Sequence, residues 1–155
     1  MVERRTNLPY AQSFRELIVY QRARALAQRI FETTGRFPRE EAFSLTDQIR
    51  RSSRAVGAQI AEAWAKRRYE RHFVSKLTDA DAEQQETQHW LEIARDCGYV
   101  TAVETQEMLQ QCAEIGRMLH SMIAKADLFC NPDSSTTLRE TTPLYFTTDD
   151  QSPDH

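Results

Sequence analysis

Seven residues constrain this chain more than any others. Phe73, Leu77, Ala80, Gln84, Thr87, Leu91 and Ala94 are separated by steps of 4, 3, 4, 3, 4 and 3, the spacing that keeps one stripe of an α-helix turned toward a partner helix. A lone helix cannot bury such a stripe, so other segments must supply the opposing faces. Met108, Cys112, Ile115, Leu119, Met122, Ala126 and Phe129 repeat the same steps. Leu45, Ile49, Ser52, Val56 and Ile60 form a third inward line, and Val19, Ala23, Leu26 and Ile30, flanked by Tyr20, Ala27 and Phe31, form a fourth. Four stripes and short connections predict an all-α fold, an antiparallel up-down four-helix bundle.

Local signals set the expected boundaries. Ser13 with Glu16, Ser44 with Asp47 and Thr101 with Glu104 each have capping-box spacing, in which the hydroxyl accepts from the third amide and the carboxylate reaches back. Gly35 is expected to end the first helix in a left-handed conformation, with Pro38 unable to continue it, and Gly98 to end the third. No Gly or Pro falls between Ala58 and Cys97, so periodicity alone permits one very long helix. A bundle requires a reversal, which we place near Ala65 to Tyr69, where Lys66-Arg67-Arg68 interrupts the apolar stripe. The expected helices therefore cover about 14–34, 45–65, 70–97 and 102–129. Residues 1–12, with Pro9, read as an extended arm, and 130–155 as a disordered tail in which Leu144-Tyr145-Phe146 fits either a chance aromatic pair or a short docking motif.

Composition narrows the class. The 155 residues are 40% hydrophobic and 28% charged with only 4 Gly and 5 Pro, which suits one soluble domain of long helices. No membrane-spanning run and no secretory h-region occur, so a cytoplasmic protein is expected. Cys97, Cys112 and Cys130 are odd in number and lack a Cys-x-x-Cys pair, which argues against a disulfide framework and a zinc site. The net charge of −3 conceals a split: residues 1–76 hold 16 Lys+Arg against 8 Asp+Glu, and residues 77–155 hold 4 against 15. Such halves can attract one another within a molecule or between subunits.

The basic half contains the candidate binding residues. Arg50, Arg51 and Arg54 fall on the outer side of the second helix, and Lys66, Arg67, Arg68 and Arg71 around the turn that follows. Guanidinium forks suit phosphate oxygens, and such contacts tolerate any base sequence. A solvated face, or ion pairs with Asp79, Asp81 and Glu83, explains the same residues without a ligand. Arg67 and His72 have the Arg-x4-His spacing of some small helical ribonucleases, a spacing that chance also produces in a basic stretch. Glu86 and His89 have the Glu-x-x-His spacing of bundle metal sites, but they flank the seam and no second such pair exists. We therefore expect no metal, cofactor or catalytic residue. The small residues Ser53, Ala55, Gly57, Ala58, Ala61, Ala63 and Ala65 fit close helix packing within the bundle or a contact between subunits. Trp64 and Trp90 read as packing anchors or subunit contacts rather than platforms for bases.

Several segments in order, Leu17-Ile-Val-Tyr-Gln, Phe37-Pro-Arg-Glu-Glu, Leu45-Thr-Asp-Gln-Ile-Arg-Arg-Ser-Ser, Gln59-Ile-Ala-Glu-Ala and Glu86-Thr-Gln-His-Trp-Leu-Glu-Ile-Ala followed by Gly98-Tyr99, resemble a known family. It is the four-helix-bundle family of 23S ribosomal RNA intervening-sequence proteins, and the resemblance spans about Phe14 to Phe129. It implies a bundle without catalytic residues that assembles into a ring, typically a pentamer. A related branch, the accessory proteins of diversity-generating retroelements, implies a reverse transcriptase partner and nucleic-acid binding through a basic surface. The sequence departs from the family pattern at Gln59 and Ala63, where Asn and Gly are usual. Together these readings give a non-enzymatic, homo-oligomeric accessory protein that binds RNA or DNA with low specificity. The alternatives are a protein-binding scaffold and, more distantly, an Arg-x4-His ribonuclease.

Overall fold

A computed structural model of the chain describes residues 11–131. Its long helices are α1 (Ile18–Thr34), α2 (Leu45–Ala65), α3 (Glu70–Asp96) and α4 (Ala102–Ala124), followed by one short helix, α5 (Ala126–Cys130). No strand occurs among the described residues. α1 packs on α2 and α4, and α3 packs on α2, α4 and α5, while the diagonal pairs keep their backbones apart.

Named contacts give the direction of each helix. Ser52 of α2 meets Thr87 of α3, and Glu62 meets Lys76. Asp81 of α3 meets His120 of α4, whereas Phe73, further toward the start of α3, stacks on Phe129 of α5. Arg22, Arg29 and Arg36 of α1 and its following turn pair with Glu114, Glu107 and Glu104 of α4 in that order. Gly57 of α2 faces Tyr20 of α1 and Arg50 meets Thr34, so in every neighbouring pair rising numbers on one helix meet falling numbers on the next.

The seven seam residues of α3 are its seven buried residues. The inward lines of the other helices are buried too, with Leu26, Ile30, Ile49, Ile60, Leu77, Ile115 and Leu119 almost fully withdrawn from solvent. The polar members of the seam have partners. Thr87 Oγ1 lies 2.8 Å from both Ser52 Oγ and the Glu83 carbonyl oxygen. Gln84 donates to Asp81 Oδ1 at 2.8 Å and accepts from Gln88 Nε2 at 2.7 Å. This cluster sits against Gly116, where a Cβ would stand 2.8 Å from Gln84 Nε2. Glycine there lets α3 and α4 close on a hydrogen-bonded glutamine.

Asp81 is the charged centre of the α3–α4 contact. Its carboxylate accepts from Gln84 and Gln85 and lies 2.9 Å from His120 Nε2. Burial pushes its pKa up, but those hydrogen bonds and the His120 charge outweigh burial and leave it below its ordinary value.

The termini of the elements differ from the expected ones in four places. Leu17 is extended and wholly buried, so α1 begins at Ile18 rather than near residue 14, after a 3-10 turn over Phe14–Glu16. Ser13 accordingly accepts from the Arg15 amide, and the Glu16 carboxylate takes the Gln12 amide, not that of Ser13. Ser44 does not cap α2: its backbone, at φ −125° and ψ −107°, lies outside the extended region an N-cap takes, and the Leu45 amide donates instead to Glu41 at 3.1 Å. Gly35 is right-handed, with φ −61°, and the Ile30 and Phe31 carbonyls at the end of α1 are taken by the Thr34 hydroxyl and by Arg50. The stripe from Met108 to Phe129 is interrupted at Lys125, which divides it into α4 and α5. Thr101 does accept from the Glu104 amide, and Gly98 is left-handed with φ 80°. The expected arm and tail fall almost wholly on residues 1–10 and 132–155, outside the described residues, as does Leu144-Tyr145-Phe146.

Two predictions follow from this packing. Leu77→Ala should destabilise the bundle by about 3 kcal/mol, while Phe43→Ala, at a side chain 98% exposed, should change stability by less than about 0.5 kcal/mol; similar urea midpoints for the two would contradict the burial pattern. Because the folded-state pKa of Asp81 is depressed, its contribution is complete above the unfolded value and is lost as pH falls through the folded one. Asp81→Asn should therefore lower stability at about pH 7 and make almost no difference at about pH 2 in paired urea titrations.

Candidate nucleic-acid interface

The seven candidate cations do not form one patch. Arg50, Arg51 and Arg54 lie in the first half of α2, and Lys66, Arg67, Arg68 and Arg71 lie where α2 turns into α3. Sixteen positions of helix separate Arg50 from Lys66, about 24 Å along the axis.

Of the first group, only Arg50 is engaged inside the bundle. Arg50 is half-buried, donates through Nε to Thr34 Oγ1 at 2.7 Å and lies over the Phe31 ring. It packs on the end of α1 rather than facing solvent as the sequence suggested, its Nη2 donating at 3.3 Å to the Phe31 carbonyl, which also accepts from the Gly35 amide, a position where the helix dipole favours a cation. Arg51 pairs with Asp47 at 3.0 Å, one turn earlier on the same helix. Arg54 remains exposed, 5.7 Å from the Phe31 ring centroid.

The second group is different. Arg67 stacks 3.5 Å from the Trp64 ring centroid and donates Nε to the Trp64 carbonyl at 2.9 Å. Burial lowers its pKa, opposed by the neighbouring Cys130. Lys66, Arg68 and Arg71 are exposed and have no ion-pair partner among the described residues. Between them Tyr69, 58% exposed, carries the Arg68 guanidinium 5.9 Å from its centroid and the His72 ring at 5.5 Å. Sequence reasoning missed Tyr69 as a site residue. The signal was an aromatic placed directly after three cations in a turn, with no stripe for it to join.

The expected ion pairs with α3 do not form among the described residues. Asp81 is held by His120 and the glutamines, and Glu83 is crowded: burial, then the charges of Glu86 and Asp79, raise its pKa. The outer side of α3 is therefore an acidic face. Glu86 and His89 are exposed, His89 packs edge-on against Trp90, and no group of three or more metal-type ligands occurs among the described residues. Cys112 is fully buried with its thiol pushed up to about 12 by burial, which makes it unreactive. None of the three cysteines is paired. No helix among the described residues is long and apolar enough to cross a membrane.

Two concavities accompany these groups. A groove of about 410 Å³ runs between α1 and α2 beside Phe31 and Arg54. The other, about 420 Å³, lies beside Phe43 between the start of α2 and the end of α3.

Comparison with solved structures gives a crystal structure of a protein with unknown function from the S23 ribosomal protein family of Bacteroides thetaiotaomicron VPI-5482. It is 29% identical, with a TM-score of 0.63, over 69% of this chain and 96% of that one. No curated protein matches. The family model for the 23S rRNA-intervening sequence protein matches residues 15–121, from the turn before α1 to near the end of α4. The helices, the seam and this match agree: the chain belongs to the 23S rRNA-intervening sequence protein family.

Proposed function

We propose that this chain is a non-enzymatic, self-assembling protein that binds nucleic acid with low sequence specificity through the end of the bundle where α2 turns into α3. The observation that carries the reading is the grouping of exposed Lys66, Arg68 and Arg71 around exposed Tyr69. Cations of this kind neutralise phosphates without reading bases. An open aromatic ring adds a stacking surface for an unpaired base. Single-stranded RNA fits that combination better than duplex DNA, whose bases are already stacked. Arg67 supports the site from behind, held by Trp64. That commitment also weighs against a catalytic pair with His72.

A cyclic homo-oligomer, a pentamer on the resemblance drawn from the sequence, would repeat this end of the bundle around one face and turn weak sites into avid ones. An accessory role beside a reverse transcriptase, in the cytoplasm, belongs to the same reading. The groove between α1 and α2 favours a second reading, a scaffold that binds protein alone. Excess absorbance at 260 nm carried through purification separates the two.

Titration of single-stranded RNA at low salt should show retardation, with log Kobs falling against log salt with a slope of about −2 for three phosphate contacts. Tyr69→Ala should weaken binding about tenfold, and joint Lys66→Glu, Arg68→Glu and Arg71→Glu should abolish it. Arg51→Gln, at a residue already paired with Asp47, should leave it unchanged. Absence of retardation, or equal losses from Arg51→Gln and the triple change, overturns the proposed interface. Light scattering that gives the mass of a single 18.0 kDa chain at micromolar concentration overturns the assembly.

A further inference from the structure

Gly57 of α2 faces α1, where a Cβ would meet Tyr20 at 3.6 Å and Ala23 at 4.0 Å. Around that crossing the side chains of Ala27, Ala58 and Ala61 are too short to fill the space between the helices. The result is the groove of about 410 Å³, walled by Phe14, Tyr20 and Phe31. Phe31 stays 43% exposed on its wall. Two cations edge the groove, Arg24 lying 5.9 Å from the Tyr20 centroid and Arg54 lying 5.7 Å from that of Phe31. No acidic side chain lines it among the described residues. An apolar floor, aromatic walls and a positive edge fit an aromatic side chain that arrives with a carboxylate close behind it.

The chain itself carries a segment of that chemistry. Residues 132–155 contain Asp133, Glu140, Asp149, Asp150 and Asp154 against the single cation Arg139. Their apolar run is Leu144-Tyr145-Phe146, and Asp149 follows three positions after Phe146. The tether starts at the correct end of the molecule. α5 ends at Cys130, and Phe129 stacks on Phe73 in the first turn of α3. This is also where α2 finishes, one turn beyond the groove residue Ala61. The twelve residues from 132 to 143 can span up to about 40 Å. The groove between Arg54 and Ala61 covers two turns of helix, about 10 Å. A short tether of this kind gives an effective concentration on the order of millimolar, so a weak contact is enough to populate the docked state.

We propose that Leu144-Tyr145-Phe146 seats in the α1–α2 groove of its own chain, with Asp149 and Asp150 against Arg24 and Arg54. The segment then covers the aromatic wall that the bundle leaves open, and any protein that uses the groove must displace it. This contact is independent of the α2–α3 turn and of RNA binding. The turn offers the acidic tail cations as well, but no comparable apolar floor.

The test is photo-crosslinking of the full chain with Tyr145→p-benzoylphenylalanine at low micromolar concentration, read by peptide mass spectrometry. Adducts within one chain on 20–31 and 53–61 are expected. Arg54→Glu, at an exposed residue, should leave thermal melting unchanged and lower the adduct yield about fivefold, the loss of one exposed ion pair. Adding Asp149→Arg and Asp150→Arg should restore it. Adducts on 66–71, adducts between two chains, no adduct above that of the same probe at Thr136, or a yield indifferent to Arg54→Glu would each overturn the docking.

Discussion

The bundle depends on the burial of one stripe of α3. Its seven residues face α2 on one side and α4 with α5 on the other, and the α2–α3 and α3–α4 contacts are the most extensive in the bundle. The stripe is not uniformly apolar. Gln84 and Thr87 occupy its middle, and each is withdrawn from solvent only because a partner is built opposite: Ser52 across on α2, and Asp81 and Gln88 on α3 itself. An unpartnered amide there would cost more than a missing methylene, and of the two it is Thr87, bonded to Ser52, that ties α3 to the facing position on α2. Gly116 completes the arrangement by letting α4 approach that amide.

The charge split along the chain has a physical resolution within the monomer. The basic first half places Arg22, Arg29 and Arg36 at intervals of seven, and the acidic second half places Glu114, Glu107 and Glu104 opposite them. These pairs are substantially exposed and contribute at most about 1 kcal/mol each. Their value is orientation: α1 laid parallel to α4 would set Arg22 beside Glu104 while carrying Arg36 away from Glu107. Cations not consumed in this way remain at the α2–α3 turn and along the α1–α2 groove, and both proposals concern them.

The stripes were legible in the sequence because they record a simple requirement, one face of each helix turned inward, that 3.6-residue periodicity states directly. Leu77, Leu91, Ile115 and Leu119 stand where that periodicity puts them. Helix ends were less legible. A capping box is a spacing, and at Ser44 the backbone leaves the extended region that an N-cap needs, while the first amide of α2 is taken by the Glu41 carboxylate. Leu17 starts α1 late because the core takes its side chain from an extended backbone. The basic cluster was legible as a composition and not as a site. Whether an arginine is free depends on neighbours in other elements: Thr34 and Phe31 hold Arg50, while among the described residues nothing comparable holds Arg68 or Arg71. Tyr69 escaped notice because no periodic pattern includes it.

Native-state hydrogen exchange tests the primacy of α3 most directly. If the α3 stripe organises the bundle, amides from Leu77 to Leu91 should exchange only through global unfolding and show the highest protection in the chain. Exchange of that segment by local opening, while α1 or α4 stays protected, would contradict the account.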